Sequence, residues 1–459
     1  MSVISLRNTI LRVAAVTTLF AGSVAQAESL SDAMIAAYQT SNLLDQQRAL
    51  LRAADEDVVQ TAAALKPVID FTGSTAFRMP RPATATSNWS ASLSLSASLT
   101  LYDNGQTRFA KDAAKETVLG LRGALLQVEQ QVLLSTVQAY MEMIRSAQAV
   151  SLSTSNVRLI TQELRAARDR FQVGEVTRTD VAIAEARLAS SRGNLAAAQG
   201  DLEIARETYK AVVGRYPGHL RWPTNPPVRV KTEHDAKAFA VRNHPSIEEA
   251  QRNVNAAELG ILRARAALGV SVAASAETVM DQDFDTTFTT GLSATVPIYR
   301  GGTLRSVIRQ AIASRDASRA QLLQVVIDVK RDVGIAWANL AVASARTEAS
   351  RREVRAAQVA FNGVREEARF GARTTLDVLN AEQDLLDART NLITAEVQQY
   401  ISLYSLFSAM GLLTSENLQL GIPTYDPVEY YRYATTRGPM EALSRRGGAL
   451  DRVLKTLKP

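Results

Sequence analysis

A strict alternation of apolar and small polar residues runs from Trp89 to Leu101. The odd-numbered positions are apolar, and the even-numbered positions are serine or threonine. This alternation places the two kinds of side chain on opposite faces of a β-strand. At about 3.4 Å per residue the segment is about 44 Å long, enough to cross the roughly 25 Å apolar band of a membrane barrel when tilted. Taken alone, the segment fits a half-buried strand of a soluble protein equally well.

The same pattern predicts two β-hairpins, at about 67–101 and about 270–298. In the first, the strand from Ile69 to Phe77 precedes the Trp89 strand after a proline-containing turn. In the second, Leu292 and Val296 share one face, and Ser293 and Thr295 the other. Each hairpin ends in a turn sequence that leads into a helical pattern. The expected strand–helix junctions are Tyr102, Gly105, Tyr299, Gly301 and Gly302.

Helical periodicity dominates the rest of the chain. Long helices are predicted at about 106–172 and about 303–370, each about 100 Å at 1.5 Å per residue. Gly174 and Gly371 end them, because a glycine after the last apolar residue is a helix stop. Return helices are predicted at about 177–213 and 374–410. Upstream of the hairpins, 29–65 is helical with a break near Ser41, and 236–267 is predicted to be helical.

The chain is a tandem duplication. Tyr102 and Tyr299, Gly174 and Gly371, and Thr177 and Thr374 are each 197 residues apart, whereas Ala64 and Ala267 are 203 apart. The two β-hairpin loops should therefore differ by about six residues. The predicted domains are a first repeat (28–214), an equatorial linker (215–234), a second repeat (235–411) and an equatorial segment (412–433).

Residues 1–27 have the composition of a signal peptide. Arg7 and Arg12 form its charged start, Val13 to Val24 is apolar and small, and Ala25-Gln26-Ala27 fits the cleavage rule. The chain has no cysteine, so it has no disulfide, no thiolate metal site and no lipid-acceptor cysteine. No later stretch has the roughly 18 apolar residues of a transmembrane helix, so membrane insertion must use strands.

The net charge of +6 is concentrated at the two ends of the chain. Residues 1–27 contribute +2 and residues 432–459 contribute +5, which leaves −1 for residues 28–431. A nearly neutral body offers no basic face, so no nucleic-acid partner is expected. Residues 434–459 are interpreted as a basic, disordered tail. Three scattered histidines have no ligand spacing, and no catalytic, cofactor or metal site is expected.

Four strands cannot close a membrane barrel. Unpaired peptide groups in lipid cost several kcal/mol each, and the smallest closed barrels have about 8 strands. Two copies would supply 8 strands and three would supply 12. The predicted fold is therefore mainly α with membrane β, with the hairpins of several chains forming a barrel above long helices.

The junctions Tyr-Asp-Asn-Gly and Tyr-Arg-Gly-Gly, the Ala-x-Ala cleavage site and the run from Gly371 to Glu382 resemble the TolC-type outer-membrane efflux and secretion channels. The resemblance covers about residues 28–425. It implies a homotrimer with a 12-stranded outer-membrane barrel continuous with a periplasmic α-helical barrel. It also implies a Gram-negative outer-membrane location, contact with outer-membrane lipid, a periplasmic adaptor (membrane fusion) protein and an inner-membrane ABC or RND-type transporter.

The resemblance assigns roles to residues just beyond Gly174 and Gly371. Arg373 corresponds to the arginine that closes the periplasmic tip, and its partners on the next chain correspond to Thr179 and Asp180. Asp377 corresponds to an acidic ring that constricts the lumen, and Asn380 replaces the second acidic residue. Helix capping and dipole complementarity are the alternative explanation for the two acids, because acids are favoured in a first helical turn.

Other functions fit less well. Asp377 and Glu382 lie on one helix without a nucleophile or base, which is typical of a solvated face rather than an enzyme. A long-helix periplasmic scaffold would explain the helices but neither the signal peptide nor the alternating hairpins. Because no lipid-acceptor cysteine follows the signal peptide, type I protein secretion is slightly favoured over multidrug efflux.

Overall fold

The computed structural model describes residues 28–80, 87–223, 230–422 and 425–436. The predicted signal peptide (1–27) lies outside these ranges, as do residues 437–459 of the predicted tail. The helices are α1 (Leu30–Thr40), α2 (Asn42–Ala63), α3 (Gln106–Gln172), α4 (Arg178–Val213), α5 (Glu233–Asn243), α6 (Pro245–Ala266), α7 (Thr303–Arg369), α8 (Thr375–Ala409) and α9 (Pro427–Thr436). The strands are β1 (Val68–Phe77), β2 (Trp89–Tyr102), β3 (Ser271–Asp281) and β4 (Thr286–Thr295).

The element bounds confirm the tandem duplication. The starts of α1, α2 and β1 precede those of α5, α6 and β3 by the same offset that separates Ala64 from Ala267. Downstream of the hairpin loops, the starts of β2, α3 and α4 precede those of β4, α7 and α8 by the smaller offset that separates Gly174 from Gly371. The change of offset falls within the β-hairpin loops, as the sequence predicts.

The four strands form one antiparallel sheet in the order β1-β2-β3-β4. Its register places Leu95 opposite Phe71 on one side and Thr278 on the other, and it places Leu93 opposite Met280. Ser96, one residue along, lies opposite Asp70 and Glu277. One face of the sheet is therefore mainly apolar and the other mainly polar, and β1 and β4 each pair on one side only.

The second hairpin is shorter than the pattern predicts. The alternation continues to Ile298, but β4 ends at Thr295, and Val296 lies beyond it. Pro297 follows and has no N–H to donate to a sheet ladder, which explains the early end of the strand.

Short extended segments at Ser41 and His244 interrupt the helices upstream of the two β-hairpins, and α9 extends into the predicted tail. Ser41 is extended between α1 and α2, which confirms the predicted break. The single helix predicted for 236–267 is wrong, because His244 is extended and Pro245 starts α6 at a position where its missing N–H costs nothing. The predicted tail is wrong for 434–436, because α9 continues to Thr436.

The chain divides into two compact units. Of the described residues, the sheet unit comprises 42–80, 87–131, 230–337, 406–422 and 425–436, and it contains the β-sheet. The tip unit comprises 28–41, 132–223 and 338–405, and it contains the helix turns at Gly174 and Gly371. These units cut across the two sequence repeats. Within the described ranges, no helix is both long enough and apolar enough to cross a membrane.

The core of the tip unit follows the helix faces. Buried Ile160 and Leu164 of α3 pack with Ala184 and Leu188 of α4, and Leu379 joins them. The corresponding cluster of the second repeat contains Phe361, Ala368, Val378 and Leu385. We call α3 with α4 the first helical hairpin and α7 with α8 the second.

Candidate functional site

Both helical hairpins turn through the same backbone motif. Gly174 and Gly371 have φ of 82° and 77°, which is left-handed backbone that glycine adopts without strain. At the first turn, the Gly174 amide donates to the Phe171 carbonyl (3.1 Å) and the Glu175 amide to the Arg170 carbonyl (2.9 Å). The second turn repeats both bonds at Gly371 and Ala372. These are Schellman caps, so both predicted tip glycines end their helices.

The two acids beside the turns cap the return helices. The Asp180 carboxylate accepts from the Thr177 amide (2.9 Å) and hydroxyl (2.7 Å), and Thr177 Oγ1 accepts from the Asp180 amide. Asp377 and Thr374 form the same capping box. The bonds from Thr177 and Thr374 hold the pKa of each carboxyl below its ordinary value. The capping explanation therefore holds within the single chain.

Arg373 lies in the turn of the second helical hairpin. Its Nε donates to Glu367 Oε2 at 2.9 Å, and both side chains are about half exposed. Thr179 is exposed on α4. The bond to Glu367 is within one chain, so a link from Arg373 to Thr179 or Asp180 of a neighbouring chain stays a prediction.

Asn380 follows Asp377 by one helical turn on α8. Its side-chain oxygen accepts from Arg187 Nη2 of the first helical hairpin at 3.2 Å. An amide occupies the position where the resemblance expects a second carboxylate, and it makes a contact between the two helical hairpins instead. The role of Asp377 as a constriction stays a prediction.

Glu382 is buried, whereas the sequence interpretation places it on a solvated face. The carboxylate expected on a solvated face is only 4% exposed, and neither of its oxygens has a hydrogen-bond partner among the described residues. Burial raises its pKa to about 7, the charge of Glu163 adds to the shift, and Arg365 and Arg187 oppose it. Arg365 forms an ion pair with Glu163 across the two helical hairpins, with 3.7 Å between Nε and Oε1.

The sequence contained a clue to this group that pattern reasoning missed. Arg168 and Glu185 lie 197 residues before Arg365 and Glu382, and they form an exposed ion pair at 2.6 Å. Ala360 stands 197 residues after Glu163, so the second repeat has no equivalent of that acid. Aligning the repeats residue by residue would have marked Glu163 as an extra carboxylate beside a duplicated pair.

The predicted strand–helix junctions lie in the sheet unit. Gly105, Gly301 and Gly302 have positive φ. Asn104 also has a positive φ, of 54°. Tyr102 donates to the Asn104 side-chain oxygen (3.2 Å), and Asn104 Nδ2 donates to the Ala266 carbonyl (3.0 Å). In the second repeat, Tyr299 is 84% exposed. The Ala266 carbonyl at the end of α6 therefore accepts two hydrogen bonds, one from Asn104 and one from the Gly269 amide (3.0 Å).

Comparison with known proteins identifies the family. The family described as outer membrane efflux protein matches residues 35–215 and 239–412. The chain is 34% identical over 424 residues to the outer membrane efflux protein BepC of Brucella suis biovar 1 (strain 1330), covering 90% of this chain and 92% of that one. It is 25% identical over 422 residues to the outer membrane protein TolC of Escherichia coli (strain K12), covering 86% and 85%.

Solved structures agree on the fold. The chain superposes on the Campylobacter jejuni CmeC outer membrane channel with a TM-score of 0.72 at 15% identity, covering 89% of each chain. The family match spans both repeats and the fold match covers 89% of the chain, which confirms the predicted fold class. The chain belongs to the outer membrane efflux protein family and is an outer-membrane channel of a Gram-negative bacterium, not an enzyme.

Proposed function

We propose that three copies of this chain form the exit duct of a tripartite export system, together with a periplasmic adaptor and an inner-membrane ABC or RND-type transporter. The observation that carries the proposal is the open four-stranded sheet. Its outer strands β1 and β4 each pair on one side only, and lipid cannot satisfy their free peptide groups. Three such sheets joined edge to edge make a barrel of 12 strands.

The two faces of the sheet support the same assembly. We propose that the apolar side chains face lipid (Leu93, Leu95, Leu99, Leu292 and Val296) and that the small polar ones face the lumen (Ser94, Ser96, Ser293 and Thr295). Leu95 and Leu292 are 51% and 71% exposed in the single chain, as expected of side chains that pack against lipid. The lumen-side rows contain Asp70 and Glu277 beside Ser96, which suits a water-filled channel.

Assembly is testable by mass and by substitution. Native mass measurement in detergent should give a trimer; a stable monomer or dimer would contradict the proposal. Leu95→Arg should abolish trimer yield in the outer membrane, because a charge near the bilayer midplane costs about 2–4 kcal/mol. Ser94→Arg is the matched control on the opposite face and should assemble. The reverse result would exchange the two faces.

We infer that Arg373 closes the tip through the same acid that caps the helix. Both bonds from Thr177 reach Oδ2 of Asp180, so Oδ1 remains geometrically available to an arginine of the next chain. The exposed pair of Arg373 with Glu367 is the alternative position of the same guanidinium. Single exposed pairs contribute little, so closure needs three such links together with helix packing.

The closed tip predicts specific conductance changes in planar bilayers. Arg373→Glu should raise single-channel conductance and antibiotic leakage. Asp180→Asn keeps an oxygen for the cap and removes the charge, so it should raise conductance without loosening α4. Arg369→Glu, which changes another exposed arginine of the same helix end, should leave conductance unchanged. Unchanged conductance in Arg373→Glu with intact trimers would leave capping as the whole account.

We propose that Asp377 forms the acidic constriction on the lumen side of the tip. One ring of three carboxylates would favour cations, and the amide of Asn380 would add no second ring. Asp377→Ala should therefore weaken cation selectivity and cation block without opening the tip, as measured by reversal potentials. Selectivity that persists in Asp377→Ala would remove the residue from the constriction.

The cargo has two candidates. The absence of a lipid-acceptor cysteine favours type I protein secretion, as the sequence predicts. The relative that is 34% identical is named an efflux protein, which favours small toxic compounds. Deleting the gene and measuring both antibiotic susceptibility and the secreted proteome separates them. Loss of secreted proteins at unchanged susceptibility supports secretion, and the converse supports efflux.

A further inference from the structure

The buried carboxylate of Glu382 lies where the two helical hairpins meet in the tip unit. Charged groups of three other helices act on this carboxyl of α8: Glu163 on α3 raises its pKa, and Arg365 on α7 and Arg187 on α4 lower it. Phe361, Val378 and Leu385 form the apolar cluster of its own hairpin. A carboxylate at 4% exposure with no hydrogen-bond partner is costly to ionise, so a proton is the simplest way to keep it there.

Two carboxylates and two arginines form this charged group, but both arginines already contact other side chains. Arg187 donates to the Asn380 side-chain oxygen at 3.2 Å, and Arg365 forms an ion pair with Glu163 at 3.7 Å. Glu163 is only 12% exposed, and Arg365 is its ion-pair partner. Glu382 can therefore pair with Arg365 only when Arg365 leaves Glu163.

The counterpart of Arg365 in the first repeat indicates a second position that Arg365 could take. Arg168 and Glu185 are the counterparts of Arg365 and Glu382, and they are bonded within one helical hairpin at 2.6 Å. Since the two hairpins share the same turn and the same spacing, Arg365 can reach Glu382 in the same way. In the second repeat, Glu163 of the other hairpin holds the arginine instead.

We propose that Arg365 is a two-position ion-pair switch that bonds Glu163 while Glu382 holds a proton, and moves to Glu382 when that proton leaves to solvent. In the first position the arginine joins the two helical hairpins. In the second it joins α7 to α8 and releases the first hairpin. The exchange breaks one ion pair and makes another, and the proton on Glu382 decides which carboxylate needs the arginine as its partner.

Deprotonation should therefore loosen the contact between the helical hairpins near neutral pH. Arg187 and Asn380 then provide the remaining polar contact between the hairpins at this level among the described residues. The consequence for conductance rests on the proposed closed tip, whereas the arginine exchange itself does not. Burial raises the pKa of Glu382 to about 7, so the exchange should occur near neutral pH.

The first test detects the proton directly. Infrared difference spectra of the full-length trimer in lipid, titrated from pH 5 to pH 9, should lose a protonated-carboxyl band near pH 7. The component with a midpoint near pH 7 should be absent in Glu382→Gln and retained in Glu185→Gln, the matched position of the first repeat. Asp55 should contribute a separate component near pH 6 that is lost only in Asp55→Asn. Absence of a titrating band in the wild type, or its loss in Glu185→Gln instead, overturns the proposal.

The second test follows the movement. The chain has no cysteine, so Val173→Cys and Phe370→Cys can carry spin labels at exposed sites beside the two turns. The distance distribution should change across the same pH range and stay constant in Glu382→Gln. Glu163→Gln removes the competing acid, so the transition should move at least about one pH unit lower. A band that titrates while the distances and the Glu163→Gln midpoint stay unchanged overturns the switch.

Conductance recorded over the same pH range separates this inference from the closed tip. Higher conductance above pH 7 in the wild type, absent in Glu382→Gln, supports both. Distances that change while conductance does not would uphold the arginine exchange and contradict the closed tip as its consequence.

Discussion

The two repeats share a backbone and differ in how they treat a pair of opposite charges. In the first repeat, Arg168 and Glu185 meet at 2.6 Å, and both are about half exposed. In the second repeat, the equivalent Glu382 is 4% exposed and unpaired, because Glu163 of the other helical hairpin holds the equivalent Arg365. Both halves kept the arginine and the glutamate, but only one kept the bond.

The sheet unit contains a similar contrast between an exposed ion pair and a buried acid. There the exposed pair belongs to the second repeat and the buried acid to the first. In the second repeat, Arg319 bonds Glu258 at 2.6 Å in an exposed pair. Their counterparts in the first repeat are Arg122 and Asp55. Asp55 is fully buried, and neither carboxylate oxygen has a hydrogen-bond partner among the described residues. Burial raises its pKa to about 6, with Arg122 opposing the shift and Glu56 adding to it.

Each buried acid lies beside a structure that its counterpart lacks. The helix α9 packs on α2 in the first repeat, where the Tyr430 hydroxyl donates to Glu56 at 2.9 Å. Glu163 supplies the extra acid beside Glu382. An ion pair in water tolerates many geometries, but a buried charge requires a well-placed partner. Where neighbouring structure buries one acid of a duplicated pair, burial raises the pKa of that acid.

The largest expected effect is the removal of the buried charge at Glu382. The folded chain holds this proton above the ordinary pKa near 4.5, so stability falls as pH rises from about 4.5 to about 7. Glu382→Gln should stabilise each chain by roughly 3 kcal/mol at pH 8 and have little effect at pH 4.5. Glu185→Gln should cost at most about 1 kcal/mol at either pH. Denaturant unfolding at both pH values measures this; equal effects at the two positions would abolish the contrast.

The second test concerns Asp55, the buried acid of the first repeat. Asp55→Asn should stabilise each chain by roughly 2–3 kcal/mol at pH 8, because the folded pKa of about 6 lies above the ordinary 3.8. The stability that the wild type loses lies between about pH 4 and pH 6. Glu258→Gln, which breaks only an exposed pair, should change stability by less than about 1 kcal/mol. A wild-type stability that stays flat between pH 4 and pH 6 would contradict the burial argument.

The third test uses the strand–helix junction. A Cβ added at Gly269 would lie 2.1 Å from Asn104 Nδ2 and 2.7 Å from Asn104 Cβ. Gly269→Ala should therefore displace Asn104 from the Ala266 carbonyl and cost about 1–3 kcal/mol as overpacking. The equivalent position of the first repeat is Lys66, so Lys66→Ala is the matched control and should be nearly neutral. Thermal unfolding and trimer yield measure the difference; two equal effects would show that the junctions are interchangeable.

The smallest effects are expected where the repeats agree. Thr177→Val and Thr374→Val each remove one capping hydroxyl, and each should cost about 1 kcal/mol. The two capping boxes have the same bonds to Asp180 and Asp377, so the two costs should match. Native-state hydrogen exchange at the first turn of α4 and α8 measures them. A cost confined to one helix would show that the tips are not equivalent.

The sequence by itself determined the order and spacing of the elements. Periods of two and 3.6 residues are properties of neighbouring positions, so the pattern predicted the hairpins and the long helices. Gly174 and Gly371 predicted the turns, because only a residue without Cβ adopts a left-handed backbone without strain. The offsets between matching residues, 203 upstream of the β-hairpin loops and 197 downstream, predicted the duplication. The break at His244 was missed, although Pro245 marked it.

Only the tertiary structure decided which charged groups are buried. Glu185 and Glu382 occupy equivalent positions in the sequence pattern, yet one is solvated and the other is 4% exposed. The difference arises from Glu163 and from the packing of the two helical hairpins, which residues nearby in the chain do not encode. Burial depends on which faces meet across about 200 residues of chain, and the free energy of a charge depends on that burial.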